Sequence, residues 1–181
     1  MEEQTALMEL FEAIDQEQKI SGALLELSNL RNAASSSYHW NLNARRAEAI
    51  RTLCGLLLRA FDGELTATDK VGIARWKAKI GEEGLRLWRD GVREDNGEAW
   101  DQPEQYEATE QEVLDALFSW SNLRYAADYS FHWNLSKQRA KMIKVLCGLL
   151  LRAFDGRLTE ADQRGIARWR EGMGEGLLSK W

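Results

Sequence analysis

Leu53-Cys54-Gly55-Leu56-Leu57-Leu58-Arg59-Ala60-Phe61-Asp62-Gly63 recurs unchanged as Leu146-Cys147-Gly148-Leu149-Leu150-Leu151-Arg152-Ala153-Phe154-Asp155-Gly156. The offset of 93 positions holds without a gap from Ser28–Trp88 to Ser121–Trp181, where 37 of 61 aligned residues are identical. His39-Trp40-Asn41-Leu42 returns as His132-Trp133-Asn134-Leu135, and Gly72-Ile73-Ala74-Arg75-Trp76 as Gly165 to Trp169. Self-similarity over this span marks one structural unit written twice. Recent copying alone leaves identity of this kind, so a shared residue is not by that fact a functional one.

The quoted stretch reads as the second of three helices in each unit. Ile50, Leu53, Leu57, Ala60 and Phe61, with their mates Ile143, Leu146, Leu150, Ala153 and Phe154, recur at helical spacing along one face. Asp-Gly at 62–63 and 155–156 ends it, because glycine takes the left-handed conformation a helix terminus favours. Upstream, a first helix is expected near Glu17–Tyr38 and Thr109–Phe131, striped by Ile20, Leu24, Leu27 and Ala34 and by Val113, Leu117, Trp120 and Ala127. Downstream, a third opens at Thr66 and Thr159, each followed three residues on by Asp in the manner of a capping box, and frays near Gly81 and Gly174. Leu7, Phe11 and Ile14 form a separate stripe ahead of the first unit, either a short helix of its own or a continuation past Gly22.

A single proline in 181 residues and no β-branched runs agree with long helices. The expected fold is all-α: a tandem duplication of a three-helix module, packed as a pseudo-twofold helical bundle. A three-helix unit this small buries little interior alone, and the other copy is the obvious partner face. The divisions are 1–27, an acidic N-terminal helical extension and the start of the first helix; 28–88, the first repeat; 89–120, an acidic linker and the start of the second repeat's first helix; and 121–181, the second repeat. The start, Met1-Glu2-Glu3-Gln4, is not a secretory leader, and no apolar run approaches a membrane span. Two cysteines, Cys54 and Cys147, make no disulfide framework, so a cytoplasmic protein with reduced thiols is expected.

Charge is segregated. The net value of −5 conceals +4 over 28–88 and +5 over 121–181, offset by −6 over 1–27 and −8 over 89–120. Two basic modules suit a nucleic-acid backbone or a nucleoprotein surface. The candidate contacts are Arg46, Arg51, Arg75 and Lys77 in the first repeat and Arg139, Lys144, Arg164, Arg168 and Arg170 in the second, with Trp100 as an exposed anchor for a protein target. The plainer reading makes these the solvated faces of amphipathic helices, neutralised by the acidic segments; Arg46, Arg51 and Arg59 do not share one stripe. Helices two and three also make a weak helix-turn-helix, with Arg164, Arg168 and Arg170 on its second member.

Other motifs carry less. A Cys-His nucleophile pair would use His39 or His132, but both cysteines sit among leucines, where thiols are inert. The expected role of the His-Trp blocks is to close the first helix, with the imidazole on free carbonyls. A zinc site from His39, Cys54, His132 and Cys147 has the right ligands and none of the usual short spacings. His-Trp-Asn resembles a triplet in the first helix of mini-ferritins, but the likeness covers three residues and no ferroxidase ligands follow. Phe154 to Thr159 lacks the alternating oxygen ligands of a calcium loop, and the glycines at 172, 174 and 176 follow a helix, unlike a phosphate loop. No cofactor is implied. The expected function is therefore a non-catalytic binding or inhibitor protein engaging nucleic acid or a nucleic-acid-handling complex, as a mobile-element inhibitor of a Cas9-type nuclease would. The alternative is a helical homo-oligomeric scaffold or small-ligand-binding bundle without nucleic acid, and an enzyme built on the His-Trp-Asn blocks ranks last.

Overall fold

The computed structural model describes residues 1–90 and 108–181. Among the described residues every regular element is a helix and none is a strand. The first half holds α1 (Glu2–Ser35), α2 (Ala44–Phe61) and α3 (Ala67–Asp90). The second holds α4 (Glu110–Tyr129), α5 (Lys137–Phe154), α6 (Glu160–Met173) and α7 (Glu175–Leu178). No described helix is long and apolar enough to cross a membrane.

Local chemistry sets the boundaries. Asn43 and Ser136 cap α2 and α5 by accepting from the backbone N–H of Arg46 and Arg139. Thr109 with Glu112 and Thr159 with Asp162 complete capping boxes on α4 and α6, and Thr66 with Asp69 makes the same exchange before α3. Two features set the first helices. Of the two readings of the acidic leader, the continuation holds: α1 runs unbroken from Glu2 through Gly22. The first helices also stop early, at Ser35 and Tyr129, because Tyr38 and Phe131 adopt left-handed φ of 58° and 57° and turn the chain away. The backbone N–H groups of Tyr38 and Phe131 reach back to the carbonyls of Ala33 and Ala126, so these residues close the helices and the histidines do not.

The fraying expected near Gly81 and Gly174 is instead a sharp redirection, with φ of 71° and 78°. A side chain there is strained whatever space surrounds it. The turn brings Trp88 back over Trp76, with ring centroids 4.6 Å apart, and Trp181 over Trp169 at 5.1 Å. Trp76 and Trp169 are fully buried, and each donates its indole N–H at 2.9 Å to a serine hydroxyl on the first helix of its half, Ser28 or Ser121.

Those same tryptophans cross to the other half. Phe154 meets the edge of Trp76 at 6.3 Å, and Phe61 meets Trp169 at 6.4 Å. Trp40 and Trp133 pack edge to face at 5.7 Å. Lys77 pairs with Asp155 at 2.9 Å and Arg170 with Asp62 at 2.8 Å. α1 packs against α5, and α2 against α4, so that one apolar cluster runs through both halves. α1 and α4 touch several neighbours at once, which explains why buried residues fall on more than one of their faces.

Within each half a buried ion pair ties the second helix to the third. Arg59 donates to both oxygens of Asp69 at 2.7 and 2.9 Å, and Arg152 repeats this on Asp162. Asp69 also accepts from the Thr66 backbone N–H. Burial alone would raise the Asp69 pKa, but these hydrogen bonds and the Arg59 charge outweigh it and hold the carboxyl below its ordinary 3.8. Asp69→Ala removes a cap and strands a half-buried guanidinium, and is expected to cost about 3 kcal/mol in urea unfolding. A depressed folded-state pKa contributes stability that is complete above the unfolded value and fades as pH falls towards the folded one. The wild-type midpoint should therefore drop as pH is lowered through 3.8, and Asp69→Ala should flatten that drop.

Candidate nucleic-acid interface

The basic positions that the two repeats share are occupied internally. Arg75 lies 3.3 Å from Glu17 and Arg168 lies 3.8 Å from Glu110, one acid from the leader and one from the linker. Lys77 and Arg170 reach across to Asp155 and Asp62. Arg51 donates to Asp128 and to the Ala127 carbonyl of the second half. Arg46 lies over the Trp40 ring at 5.2 Å, donates to the Asn41 carbonyl and sits 3.4 Å from Glu26. Lys144 is buried and partnered, and Arg164 meets Glu160 one turn away on an exposed face. Trp100 lies outside the described residues.

Exposed ion pairs hold only about 0–1 kcal/mol each, so pairing alone does not forbid contact with phosphate. The potential they present is another matter. A carboxylate within 4 Å cancels most of the field that would draw a polyanion, and the acidic leader and linker supply these carboxylates to Arg46, Arg75 and Arg168.

Among the described residues, a cluster of cations at the start of α5 escapes this cancellation. Lys137, Arg139 and Lys141 open α5, and none has a carboxylate partner among the described residues. Lys137 and Lys141 stand one turn apart on the same side. Arg139 is steered by its 5.2 Å stack on Trp133 and by a hydrogen bond to the Asn134 carbonyl at 2.8 Å. In the first half the corresponding residues are Ala44, Arg46 and Glu48, and Glu26 neutralises both Arg45 and Arg46. Ser119 replaces that glutamate and Gln138 replaces Arg45. At this place the second half therefore has two fewer acids, two more lysines and one fewer arginine than the first. Cations at a helix N-terminus oppose the macrodipole, at a few tenths of a kcal/mol each, and no acid occupies this first turn to compensate. A local rule broken without structural return is where function is expected.

Of this cluster the sequence pattern points to Arg139 alone, because Lys137 and Lys141 stand where the first repeat has Ala44 and Glu48 and so have no basic mate. The signal lay in the differences between the repeats.

The histidines and cysteines do not meet. His39 and His132 are exposed beyond the turns at Tyr38 and Phe131, whereas Cys54 and Cys147 are wholly buried. Among the described residues no group of His, Cys, Asp or Glu is placed to hold a metal ion. Burial pushes both thiols up to about 12, with Arg124 beside Cys54 and Arg31 beside Cys147 opposing the rise only in part. No family model matches the chain, and neither curated proteins nor solved structures show significant similarity to it. Both thiols should resist a water-soluble disulfide reagent at pH 8 in the native protein and react together once urea unfolds it. Rapid labelling of one alone would contradict this burial.

Proposed function

We propose that the chain is a non-catalytic binding protein that engages nucleic acid, or a complex carrying it, through the start of α5. The observation that carries the reading is the cluster Lys137, Arg139 and Lys141, unneutralised in a chain whose other candidate cations are mostly paired. Three cations beside free helix N–H groups suit a run of phosphates. The reciprocal contacts between halves, Trp76 with Phe154 and Trp169 with Phe61, support an arrangement of two like modules about a pseudo-dyad, a homodimer fused into one chain. On this reading one module keeps the binding site and the other has been neutralised at the same place by Glu26 and Glu48.

The specific form we favour is an inhibitor of a nucleic-acid-handling nuclease of Cas9 type, borne by a mobile element. A small, duplicated, motif-poor helical chain is of that kind.

Electrophoretic mobility shift of a short duplex at two salt concentrations tests the phosphate contact. About three neutralised phosphates give a log–log salt slope near −3. Lys137→Glu with Lys141→Glu should abolish the shift, whereas Arg75→Gln with Arg168→Gln should leave it within a few-fold. Binding that ignores the lysine changes, or that does not weaken with salt, sinks the reading.

A further inference from the structure

We infer that two copies of the chain associate by reciprocal insertion, the N-terminal arm of α1 from each lying against the aromatic groove beside α4 of the other. The inference stands apart from the phosphate reading above, because it uses different surfaces.

The arm is more helix than the bundle needs. α4 begins after its cap at Thr109, the mate of Gln16, yet α1 continues for fourteen residues before that point, from Glu2 to Asp15. Every residue from Met1 to Glu12 is exposed. Leu7, Leu10, Phe11 and Ile14 share one face, and Leu7, Leu10 and Phe11 are each more than half exposed. Because α1 is continuous with its packed part, the arm needs no nucleus of its own, but its exposed apolar face still calls for a cover.

The groove is also surplus to the fold. Phe118, Tyr125, Tyr129 and Leu177 line a cavity of about 270 Å³, with the two tyrosine rings 4.7 Å apart. Tyr125 is 66% and Tyr129 71% exposed. The first half carries Leu25, Asn32, Ser36 and Gly84 at these positions, so the module closes without the aromatic set.

Charge and area select the occupant. Glu2, Glu3, Glu9, Glu12 and Asp15 load the arm with acid, and no Lys or Arg precedes Lys19, which disfavours pairing one arm with another. Lys180 on the groove has no carboxylate partner among the described residues and offers the complementary sign. An arm ~21 Å long and ~10 Å wide has a footprint of roughly 210 Å² on each partner, about 420 Å² in all, well below what a stable complex needs. Two such dockings double this to about 840 Å², the size of a weak reversible contact, and a twofold closes them into a dimer where a one-way contact would leave an open chain.

Sedimentation velocity of the full chain over a range of micromolar concentrations tests this. A dimer is expected. Leu7→Asp with Phe11→Asp should raise its dissociation constant at least tenfold. Tyr125→Asn with Tyr129→Ser, which places first-half residues in the groove, should do the same. The urea midpoint, read at a concentration low enough for the wild type to be monomeric, should hold in both variants, since all four side chains are exposed. A monomeric wild type overturns the inference. So does a dimer that survives the tyrosine changes, which would point to arm-on-arm pairing, or one that survives the arm changes, which would place the contact elsewhere.

Discussion

The structure turns on two tryptophans that each half lends to the other. Trp76 is held upright by the Ser28 hydroxyl, roofed by Trp88 and closed at its edge by Phe154 of the opposite half. Trp169 has the matching set in Ser121, Trp181 and Phe61. A buried tryptophan is worth several kcal/mol, and neither half supplies all the walls of its own. Close packing elsewhere follows from this exchange. Gly72 and Gly165 let the third helices press so near the first that an added Cβ would sit 2.7 Å from Ile20 or Val113. With the third helix pinned there, Arg59 and Arg152 are positioned to grip the buried Asp69 and Asp162.

The same exchange explains the fate of the shared cations. Lys77 and Arg170 bracket the crossing aromatics by pairing with Asp155 and Asp62, and Arg31 and Arg124 stay buried to reach the carbonyls of Leu87 and Lys180. Most cations that both modules keep serve the packing. On the reading proposed above, the charges free to act on another molecule cluster where the modules differ, at Lys137 and Lys141 beside the shared Arg139. The aromatic groove of the second half and the long α1 arm of the first belong to the same category. Each departs from its mate and costs the fold some exposed apolar surface or some like-charge repulsion.

Helix positions were legible because the apolar stripes of α2 and α5 and the Thr–Asp caps obey local rules. The early stops at Ser35 and Tyr129 were not, since a left-handed Tyr38 or Phe131 violates side-chain preference and is held by tertiary packing of the following tryptophans. The sequence left the continuity of α1 through Gly22 open, because one glycine costs about 1 kcal/mol, which a long packed helix absorbs. Pairing of the leader acids with Arg75 and Arg46 depends on which helices touch, and composition carries no such information. Net charge by segment therefore overstated the cationic surface, while a position-by-position comparison of the repeats would have found Lys137 and Lys141.

The central claim is that the halves form one cooperative unit through the exchanged tryptophans. Hydrogen exchange at the indole N–H groups of Trp76 and Trp169, followed by NMR as urea is added, tests it most directly. The account predicts equal opening free energies and equal dependence on urea for both protons, merging with global unfolding. Exchange of one proton through a smaller opening, with the other left protected, would mean that each half keeps its own core and would contradict the account.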